Sequence, residues 1–403
     1  MKLLQRIFRI WDYKNASLKR RILGLFPLVK KDNVLTLLVF GLPLIQRKRY
    51  VSVVANGGGG GELLNKRSLA FNNHIHITDY AFRFCGIVCY GTRNYRKLAN
   101  IAALKPNGLL QPTLANDPNI LPKLAKLTAG MPKESKDLAY TIITREIQTS
   151  PSISRTRLCY TLTQQELTAL ETLASEFYAK ILPLAPNLCY YNGYFLPESN
   201  LECSVFFYKH GIDTLRHLDR LRDKDIIDVG GYIGDSALIF QDYTQKSIHC
   251  FEASKSTYQK LLTTLRLNNT TRIIPINNAL GAKEERLAIS GGGLGAHLIK
   301  DQRDSSSEMA EVITLDSYVQ QHNIQVGFIK VDIEGFEMEF LKGAKHTICT
   351  QKPAMLISIY HQASDFFDIK PLIESWNLGY TFHLYKPLDD TISIETALFC
   401  EMP

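Results

Sequence analysis

The chain has few cysteines, and none of them stand in the paired spacing of a metal site or a disulfide framework. Eight cysteines occur in 403 residues, without a CxxC motif or a Cys/His cluster. Structural zinc sites draw their ligands from such pairs, so no zinc site is expected, and no other metal is predicted. Scattered cysteines in apolar contexts are typical of free thiols in a reducing compartment, which favours a cytoplasmic location.

Long apolar runs are lacking near the N-terminus. The uncharged run 33–46 is shorter than the roughly 20 residues that a membrane-spanning helix needs. A secretory signal would also require a small-residue cleavage site after its apolar run, and no clear one follows. The sequence therefore predicts neither a spanning helix nor a signal peptide in this segment.

Acidic residues are scarce only at the N-terminus. Residues 1–50 contain twelve Lys or Arg and two Asp, a net charge of +10, whereas the whole chain carries +8. The remainder therefore carries −2 and lacks the basic surface of a nucleic-acid enzyme, so no nucleic-acid partner is expected. Two interpretations of the basic leader, residues 1–55, stay open. Either it makes a peripheral contact with the anionic inner face of a membrane or with a partner, or it is a β-hairpin or loosely ordered arm with a solvated basic rim.

Residues 56–190 form a second predicted region, mixed and partly helical, in which no chemistry is identifiable. The region opens with five consecutive glycines, 57–61. A phosphate-binding P-loop would end in Lys followed by Ser or Thr, and that ending is absent here. The glycine run is therefore interpreted as a flexible linker.

Residues 191–403 alternate apolar, strand-like runs with amphipathic helical segments. The strand-like runs are KDIIDVGG, SIHCFEA, RIIPINNAL, VGFIKVDIE and AMLISIYH, followed by YTFHLYKP and TISIETALFCE. Continuous apolar runs are typical of buried parallel strands, and the intervening helices supply the crossovers. The last two runs have no helix between them, which predicts an antiparallel last strand. The sequence thus predicts an α/β fold with a Rossmann-like, doubly wound and mostly parallel sheet.

A glycine-rich turn follows the first of these strands. In such sheets ligands bind beyond the carboxyl ends of the strands. The segment Asp228-x-Gly230-x-x-x-Gly234 predicts a compact turn close to a ligand, with a helix N-terminus beyond it. Gly231 adds room for close approach of the backbone, and Asp228 is placed to accept from a cationic group. The alternative is an ordinary glycine-rich turn between a strand and a helix.

The next two strand ends carry side chains suited to a nucleoside. Glu252 lies 22 residues after Gly230, where a carboxylate is placed to bind ribose hydroxyls. Asn278 stands at the end of the third strand, and its amide suits the edge of an adenine. Asp235, at the start of the helix after the glycine turn, completes the predicted cofactor-binding set.

Together these segments resemble the S-adenosylmethionine-dependent methyltransferases of the FkbM family. The segments that carry the resemblance are DIIDVGGYIGDSAL, CFEAS, INNALG, ITLDSY, IKVDIEGFEMEFLKGA and LISIYH, and they span about residues 195–403. The resemblance implies a class I methyltransferase sheet, S-adenosylmethionine as the cofactor, and O-methylation, often of a sugar or polyketide hydroxyl.

The resemblance also implies roles for individual positions. Around the cofactor these are Asp228, Gly230 and Gly234 for the turn, Glu252 for the ribose, and Asn278 near the adenine. Two positions depart from the family pattern. Ala253 stands where the family commonly has Pro, and Lys386 stands where some relatives carry a His, so a role for that His does not carry over.

The fourth strand runs into a cluster of carboxylates. Asp332 is predicted to be its last residue and to face the cleft where the transferred methyl group lies. Alternation along a strand predicts Glu334 on the same side, so one of the two is a candidate to orient an acceptor hydroxyl or, as the alternative, to ligate a divalent cation. Glu337, in the first turn of the next helix, is predicted to stabilise the helix dipole.

His361 ends the fifth strand, beside the fourth. It is predicted either to accept the proton of an acceptor hydroxyl or to be a packed structural histidine. Tyr360 is predicted to point to the opposite face. The catalytic candidates are therefore Asp332, Glu334 and His361.

Two functions stay open from the sequence. One is an S-adenosylmethionine-dependent O-methyltransferase acting on a hydroxyl of a sugar in a surface glycan, or on a related small-molecule acceptor. The other is a degenerate methyltransferase-fold binding module in a glycan-assembly complex. The presence of Asp228, Glu252 and Asp332 favours the enzyme, because a decayed site loses such residues. The oligomeric state stays open.

Overall fold

The computed structural model describes the chain in several stretches. For the N-terminal strands it gives the backbone of residues 21–22, 26–31, 34–39, 42–50, 79–84 and 87–91. Beyond these it describes residues 104, 106–108, 110–149, 162–198, 201–291, 297–299 and 308–403. The glycine run 57–61 and the first twenty residues of the basic leader lie outside the described residues.

The first of two compact units comprises residues 1–105 and 160–163. Its described strands form an antiparallel meander in which each strand pairs with the next along the chain. They are β1 (Arg21–Ile22), β2 (Phe26–Lys31), β3 (Val34–Val39), β4 (Leu42–Tyr50), β5 (Asp79–Phe84) and β6 (Ile87–Gly91). The meander includes the hairpin that one interpretation of the leader expects. Docking on a membrane face stays a prediction.

The second unit comprises residues 106–159 and 164–403, and the predicted limit at residue 190 stays a prediction. Its α-helices are α1 (Gln111–Asn116), α2 (Ile120–Thr128), α3 (Lys133–Thr149), α4 (Gln164–Thr172), α5 (Cys203–Phe206), α6 (Asp235–Phe240), α7 (Lys255–Leu267), α8 (Leu315–His322), α9 (Glu337–Gly343), α10 (Lys345–Gln351) and α11 (Ala363–Glu374). Among the described residues, no helix has both the length and the apolar character to cross a bilayer.

The strands of the second unit form three sheets. They are β7 (Leu182–Ala185), β8 (Leu188–Tyr191), β9 (Tyr194–Leu196), β10 (Asp225–Val229), β11 (Ile248–Phe251), β12 (Ile273–Ile276), β13 (Ala279–Leu280), β14 (Glu285–Ser290), β15 (His297–Ile299), β16 (Met309–Ile313), β17 (Val326–Val331), β18 (Ala354–Ser358), β19 (Thr381–Tyr385) and β20 (Ala397–Glu401). Two of the sheets are small: β7-β8-β9, and β13-β16-β14-β15.

The large sheet has seven strands in the order β12-β11-β10-β17-β18-β20-β19. All neighbours are parallel except β20, which runs antiparallel to both β18 and β19. Strands β11 and β17 are buried along their whole length, as their continuous apolar runs predict. The predicted mostly parallel α/β sheet with an antiparallel last strand is confirmed.

The register of the central strands brings their carboxyl ends together. Val229 at the end of β10 is level with Phe251 of β11 on one side and with Val331 of β17 on the other. Val331 is in turn level with Ile357 of β18. The residues that follow these four strands therefore share one edge of the sheet, where a ligand of an open α/β sheet binds.

The third strand is shorter than predicted. β12 ends at Ile276, and Asn277 and Asn278 connect it to β13, which pairs with β16 in a different sheet. The Asn277 side-chain amide donates to the carbonyl oxygens of Glu252 and Ala253, which holds the chain in this turn. Asn278 therefore follows the strand instead of ending it.

Residues 106–149 support the loops beyond the sheet. The buried Glu146 carboxylate on α3 accepts hydrogen bonds from the Asn107 backbone N–H and the Ser393 hydroxyl, both at 2.8 Å. The Asn107 side-chain amide donates to the Tyr360 carbonyl oxygen at 2.6 Å. This N-terminal segment thus holds two loops, one with Tyr360 and one with Ser393, at the edge where the parallel strands end.

We expect Glu146→Ala to destabilise the second unit by about 1–3 kcal/mol, because the buried donors of Asn107 and Ser393 lose their acceptor. The measurement is the free energy of unfolding in urea. Tyr140→Ala is the matched control, since Tyr140 lies on the same helix and is exposed. Its expected change is within about 0.5 kcal/mol. Equal changes in the two variants would contradict the supporting role of Glu146.

Candidate active site at the carboxyl ends of the parallel strands

The glycine turn after β10 lies directly against the chain that follows β17. Gly230 has φ +78°, and a Cβ atom at this position would lie 1.8 Å from the Asp332 carbonyl oxygen. The backbone N–H groups of Gly230 and Gly231 both donate to the Phe251 carbonyl, at 3.1 and 2.8 Å. Gly230 therefore meets both conditions that require glycine, a left-handed conformation and close approach of another backbone.

The turn continues into a helix N-terminus, as the sequence predicts. Gly234, at φ +85°, is the N-cap of α6, which begins at Asp235. The predicted compact turn between strand and helix is present, with Gly231 inside it. A Cβ atom on Gly231 would lie 2.1 Å from the Cys250 sulfur on β11.

Asp228 has no solvent-exposed surface, and it faces a cation of the protein itself. Its Oδ1 lies 3.2 Å from the Nζ of Lys330 on β17, and that ammonium group donates to the Gly230 carbonyl oxygen at 2.7 Å. The predicted cationic partner of Asp228 is thus Lys330. Asp228 is therefore positioned to shape the turn through Lys330, without surface available to a ligand.

Lys330 stays charged despite its burial. Burial favours the neutral amine, but Asp228 and Asp332 outweigh it and raise the pKa of Lys330. Lys330 is absent from the residues chosen from the sequence. The signal that could have identified it is a single Lys inside the otherwise apolar run VGFIKV, because a lysine buried in a central strand requires carboxylate partners.

The three remaining predicted cofactor residues lie along the same edge. Asp235 is buried at the start of α6 and accepts from the Ser236 N–H, and burial raises its pKa to about 7. Glu252 follows β11, accepts from the Ser254 N–H at 2.8 Å, and also has its pKa raised to about 7 by burial. Asn278 uses its side-chain amide to donate to the Glu311 carbonyl on β16.

The three predicted catalytic residues converge beyond β17 and β18. His361 is 6% exposed, and its Nε2 lies 3.3 Å from Asp332 Oδ1 and 3.7 Å from Glu334 Oε1. β17 ends at Val331, so Asp332 is the first residue after the strand. Glu334 reaches His361 through a turn with φ +56° and not through strand alternation, followed by Gly335 at φ +95°. The predicted grouping is present, although the predicted backbone geometry is wrong.

The other imidazole nitrogen is held by a residue predicted only to stabilise a helix dipole. His361 Nδ1 lies 2.7 Å from the Glu337 Oε1, and Glu337 has no exposed surface. Burial favours the neutral imidazole, but Glu337, Asp332 and Glu334 outweigh it and raise the pKa of His361 to about 10. The first turn of α9 therefore contributes a carboxylate to the site.

Three side chains could together hold a metal ion, because one possible ligand atom from each lies within 4.8 Å of the others. They are Asp332, Glu337 and His361. A metal would use one imidazole nitrogen, whereas Glu337 contacts Nδ1 and Asp332 lies at Nε2. Glu337 Oε1 already accepts two hydrogen bonds. We therefore interpret the group as an imidazole placed between two carboxylates, and the expected lack of a metal stays a prediction.

Tyr360 lies in the site, so its predicted orientation is wrong. Its hydroxyl oxygen lies 3.2 Å from Asp332 Oδ1 and 3.1 Å from Glu395 Oε1. The ring contacts that of His361, with centroids 4.1 Å apart. β18 ends at Ser358, so the side-chain alternation of a strand does not extend to Tyr360.

Carboxylates dominate the surroundings of Asp332. Burial and neighbouring acidic groups raise the pKa of Glu395 to about 7 and hold the pKa of Glu202 well above its usual range. Asp235 and Asp332 are among the charges that act on Glu202. Such a cluster of carboxylates favours a cationic ligand, because a nearby positive charge stabilises ionised carboxylates. S-adenosylmethionine fits this requirement, since it carries a sulfonium and an ammonium group.

His210 also belongs to the surroundings of this edge, and no sequence pattern marks it. It is buried at φ +53°, and its Nε2 lies 2.7 Å from the Ser236 hydroxyl on α6. Burial, with a further contribution from Lys330, lowers the pKa of His210 to about 3, so it is neutral at physiological pH.

We expect Gly231→Ala to destabilise the fold by about 1–3 kcal/mol, because its Cβ overlaps the buried sulfur of Cys250. Cys250→Ala removes that sulfur, so the double variant should be more stable than the sum of the two single changes. The four free energies of unfolding in urea test this. Strict additivity would contradict the packing of the turn against β11.

Residues 228–382 match the family model described as the methyltransferase FkbM domain. Over 168 residues the chain is 24% identical to the hexuronic acid methyltransferase AglP of Haloferax volcanii, covering 40% of this chain and 66% of AglP. Over 177 residues it is 23% identical to Methyltransferase 1 of Beauveria bassiana, covering 38% and 71%. The crystal structure of methyltransferase FkbM from Methylobacillus flagellatus has 20% identity and a TM-score of 0.45, covering 70% of this chain and 58% of that one.

The matched part thus spans less than two thirds of AglP and of the Methylobacillus structure. The family match covers the glycine turn, Glu252, the Asp332 segment and His361, which are the residues that the sheet brings to one edge. Residues 228–382 therefore form a methyltransferase domain of the FkbM family, whose cofactor is S-adenosylmethionine.

Proposed function

We propose that this chain is an O-methyltransferase acting on a hydroxyl of a sugar in a surface glycan or a related natural product. The observation that carries the proposal is the convergence of Asp332, Glu334 and His361 beside the glycine turn. The relative AglP, named as a hexuronic acid methyltransferase, supports a saccharide acceptor. The presence of an ordered Glu337–His361 pair favours an enzyme over a binding module, because nucleoside binding alone does not need it.

Side chains and backbone at the carboxyl ends of the parallel strands would hold the cofactor. In this proposal Glu252 accepts from the ribose hydroxyls, Asn278 lies towards the adenine, and the backbone of Gly230 and Gly231 allows close approach. Asp235 is the carboxylate closest in sequence to the turn and would favour the ammonium group. When bound, S-adenosylmethionine supplies the electrophilic methyl group.

The remaining groups would act on the acceptor. Methyl transfer from a sulfonium is an in-line displacement, so alignment of the acceptor oxygen supplies most of the acceleration. His361 Nε2 takes the hydroxyl proton, and Asp332 or Glu334 accepts a hydrogen bond that fixes the direction of the acceptor oxygen. Asp332 is suited to this task because Lys330 and His361 outweigh burial and lower its pKa, which keeps it ionised.

We expect S-adenosylmethionine, and not NAD, to bind the purified protein in a calorimetric titration. Glu252→Gln should weaken binding by about tenfold or more, because a charged acceptor for the ribose hydroxyls is lost. Glu176→Gln is the control, since this exposed carboxylate pairs with Lys180 on the surface. Lack of binding at millimolar cofactor would contradict the enzyme and direct the search to partners of the N-terminal half.

We expect methyl transfer from labelled S-adenosylmethionine to neutral sugars, with a base-stable ether as the product. Asp332→Asn and His361→Asn should lower the rate by about 10²–10⁴-fold, the usual contribution of a general base, while cofactor affinity stays within threefold. Transfer confined to uronic acids with a base-labile ester product would contradict a hydroxyl acceptor.

The rate of transfer should rise with pH. His361 has a pKa of about 10 and is therefore protonated at neutral pH, where it cannot accept a proton. With rate-limiting chemistry, the rate should increase about tenfold per pH unit between pH 7 and 9, and a bound sulfonium should move the midpoint below 10. His361→Asn should remove most of this slope. A rate that falls over this range would contradict the role of His361.

A further inference from the structure

A buried carboxylate, Glu337, links the imidazole of His361 to the backbone that carries the acidic residues. The same Glu337 Oε1 accepts from His361 Nδ1 at 2.7 Å and from the Ile333 N–H at 3.0 Å. Ile333 stands between Asp332 and Glu334 in the chain. One buried oxygen therefore sets the position of the imidazole relative to both carboxylates at its other nitrogen.

A second buried carboxyl group interacts with the other side of Glu337. Asp365, in the first turn of α11, is 1% exposed, and its carboxyl group interacts with that of Glu337. Glu337 Oε2 and Asp365 Oδ2 are both buried and have no hydrogen-bond donor in the described part of the chain. Two neighbouring carboxyl groups repel each other when both are ionised, and one shared proton satisfies both.

The charge balance places that proton on Asp365. Burial, followed by the charge of Glu337, raises the pKa of Asp365 to about 7, so this carboxyl group carries a proton far more readily than an ordinary aspartate. A protonated Asp365 donates to Glu337 Oε2, which satisfies both of these buried oxygens. The groups that face the imidazole are then Glu337 at Nδ1, Asp332 and Glu334 at Nε2, and the Tyr360 ring.

We propose that Glu337, held by a proton shared with Asp365, is the positioning residue of His361. It keeps Nδ1 protonated, so that the lone pair of a neutral imidazole is on Nε2 and faces the acceptor. This inference rests on the proposed function of His361 as the proton acceptor. The proposal gives Glu337, at the start of α9, and Asp365, on α11, a role in the reaction. Neither side chain contacts the acceptor.

The first experiment follows His361 by ¹⁵N NMR of the histidine-labelled full chain, with His361→Asn to assign its signals. In the unaltered protein we expect a His361 pKa near 10 and, above it, protonation of Nδ1. Glu337→Gln should lower this pKa by more than one unit while keeping the tautomer, because the amide oxygen still accepts from Nδ1 and Ile333. Glu337→Met removes the acceptor and should give a mixture of both tautomers.

The second experiment measures the rate of methyl transfer in the same variants. Glu337→Gln should shift the pH–rate profile to lower pH, and Glu337→Met should lower kcat by about 10²-fold or more, the size of a general-base contribution, at unchanged cofactor affinity. Asp365→Asn should lower kcat less than Glu337→Met does, because its amide can replace the shared proton as a donor. Glu339→Gln is the matched control on α9, since that carboxylate pairs with Lys342.

An unchanged His361 pKa in Glu337→Gln would overturn the proposal, as would a loss in Asp365→Asn as large as that in Glu337→Met. If Glu337→Met does not fold, Glu337→Gln and Asp365→Asn still test whether Glu337 positions His361. Failure of the proposed function gives a different pattern. In that case His361→Asn transfers methyl groups at the full rate, while the NMR measurements, which need no acceptor, still report how Glu337 holds the ring.

Discussion

The buried ammonium group of Lys330 interacts with both parts of the site, the glycine turn after β10 and the acidic residues after β17. It neutralises Asp228, which has no exposed surface, and donates to the carbonyl of Gly230 in the glycine turn. It also lowers the pKa of Asp332. Removal of this charge would leave Asp228 uncompensated in the core, which costs several kcal/mol in typical buried pairs. The turn and the acidic residues beyond β17 therefore depend on one cation in the central strand.

Around this cation the cleft holds more negative than positive charge. Glu202, Glu252 and Glu395 all have raised pKa values, chiefly because they are buried. A cationic cofactor relieves this imbalance, so affinity for S-adenosylmethionine and the protonation of the cleft are coupled by linkage. Glu337, Asp332 and Glu334 outweigh burial and raise the pKa of His361 to about 10, so the protonation of its imidazole should respond to a cation that binds nearby.

The segment 106–149 has a structural part in this site. Asn107 holds the carbonyl of Tyr360, and Glu146 holds Ser393, two residues before Glu395. These contacts cross more than 240 residues of sequence. A region whose sequence indicates no chemistry thus stabilises the loops that carry part of the cleft.

Much of the domain could be predicted because its signals are local. The apolar runs define the strands, and the spacing of Gly230 and Gly234 defines the turn, since left-handed backbone and close approach favour glycine. The residues at the strand ends then follow from the rule that parallel strands present their carboxyl ends at one edge. His361 and Asp332 could be placed together on this basis alone.

The partners of those residues could not be predicted in the same way. Glu337 and Tyr360 were assigned by helix position and strand alternation, but a turn at Glu334 and the end of β18 at Ser358 redirect the chain there. The pairing of Asp228 with Lys330 joins residues about 100 positions apart. The sequence by itself determined the sheet, the glycine turn and the identity of the acidic residues, because these depend on local pattern. Only the tertiary structure decided which carboxylate faces which cation, because burial and distance set the charge of each group.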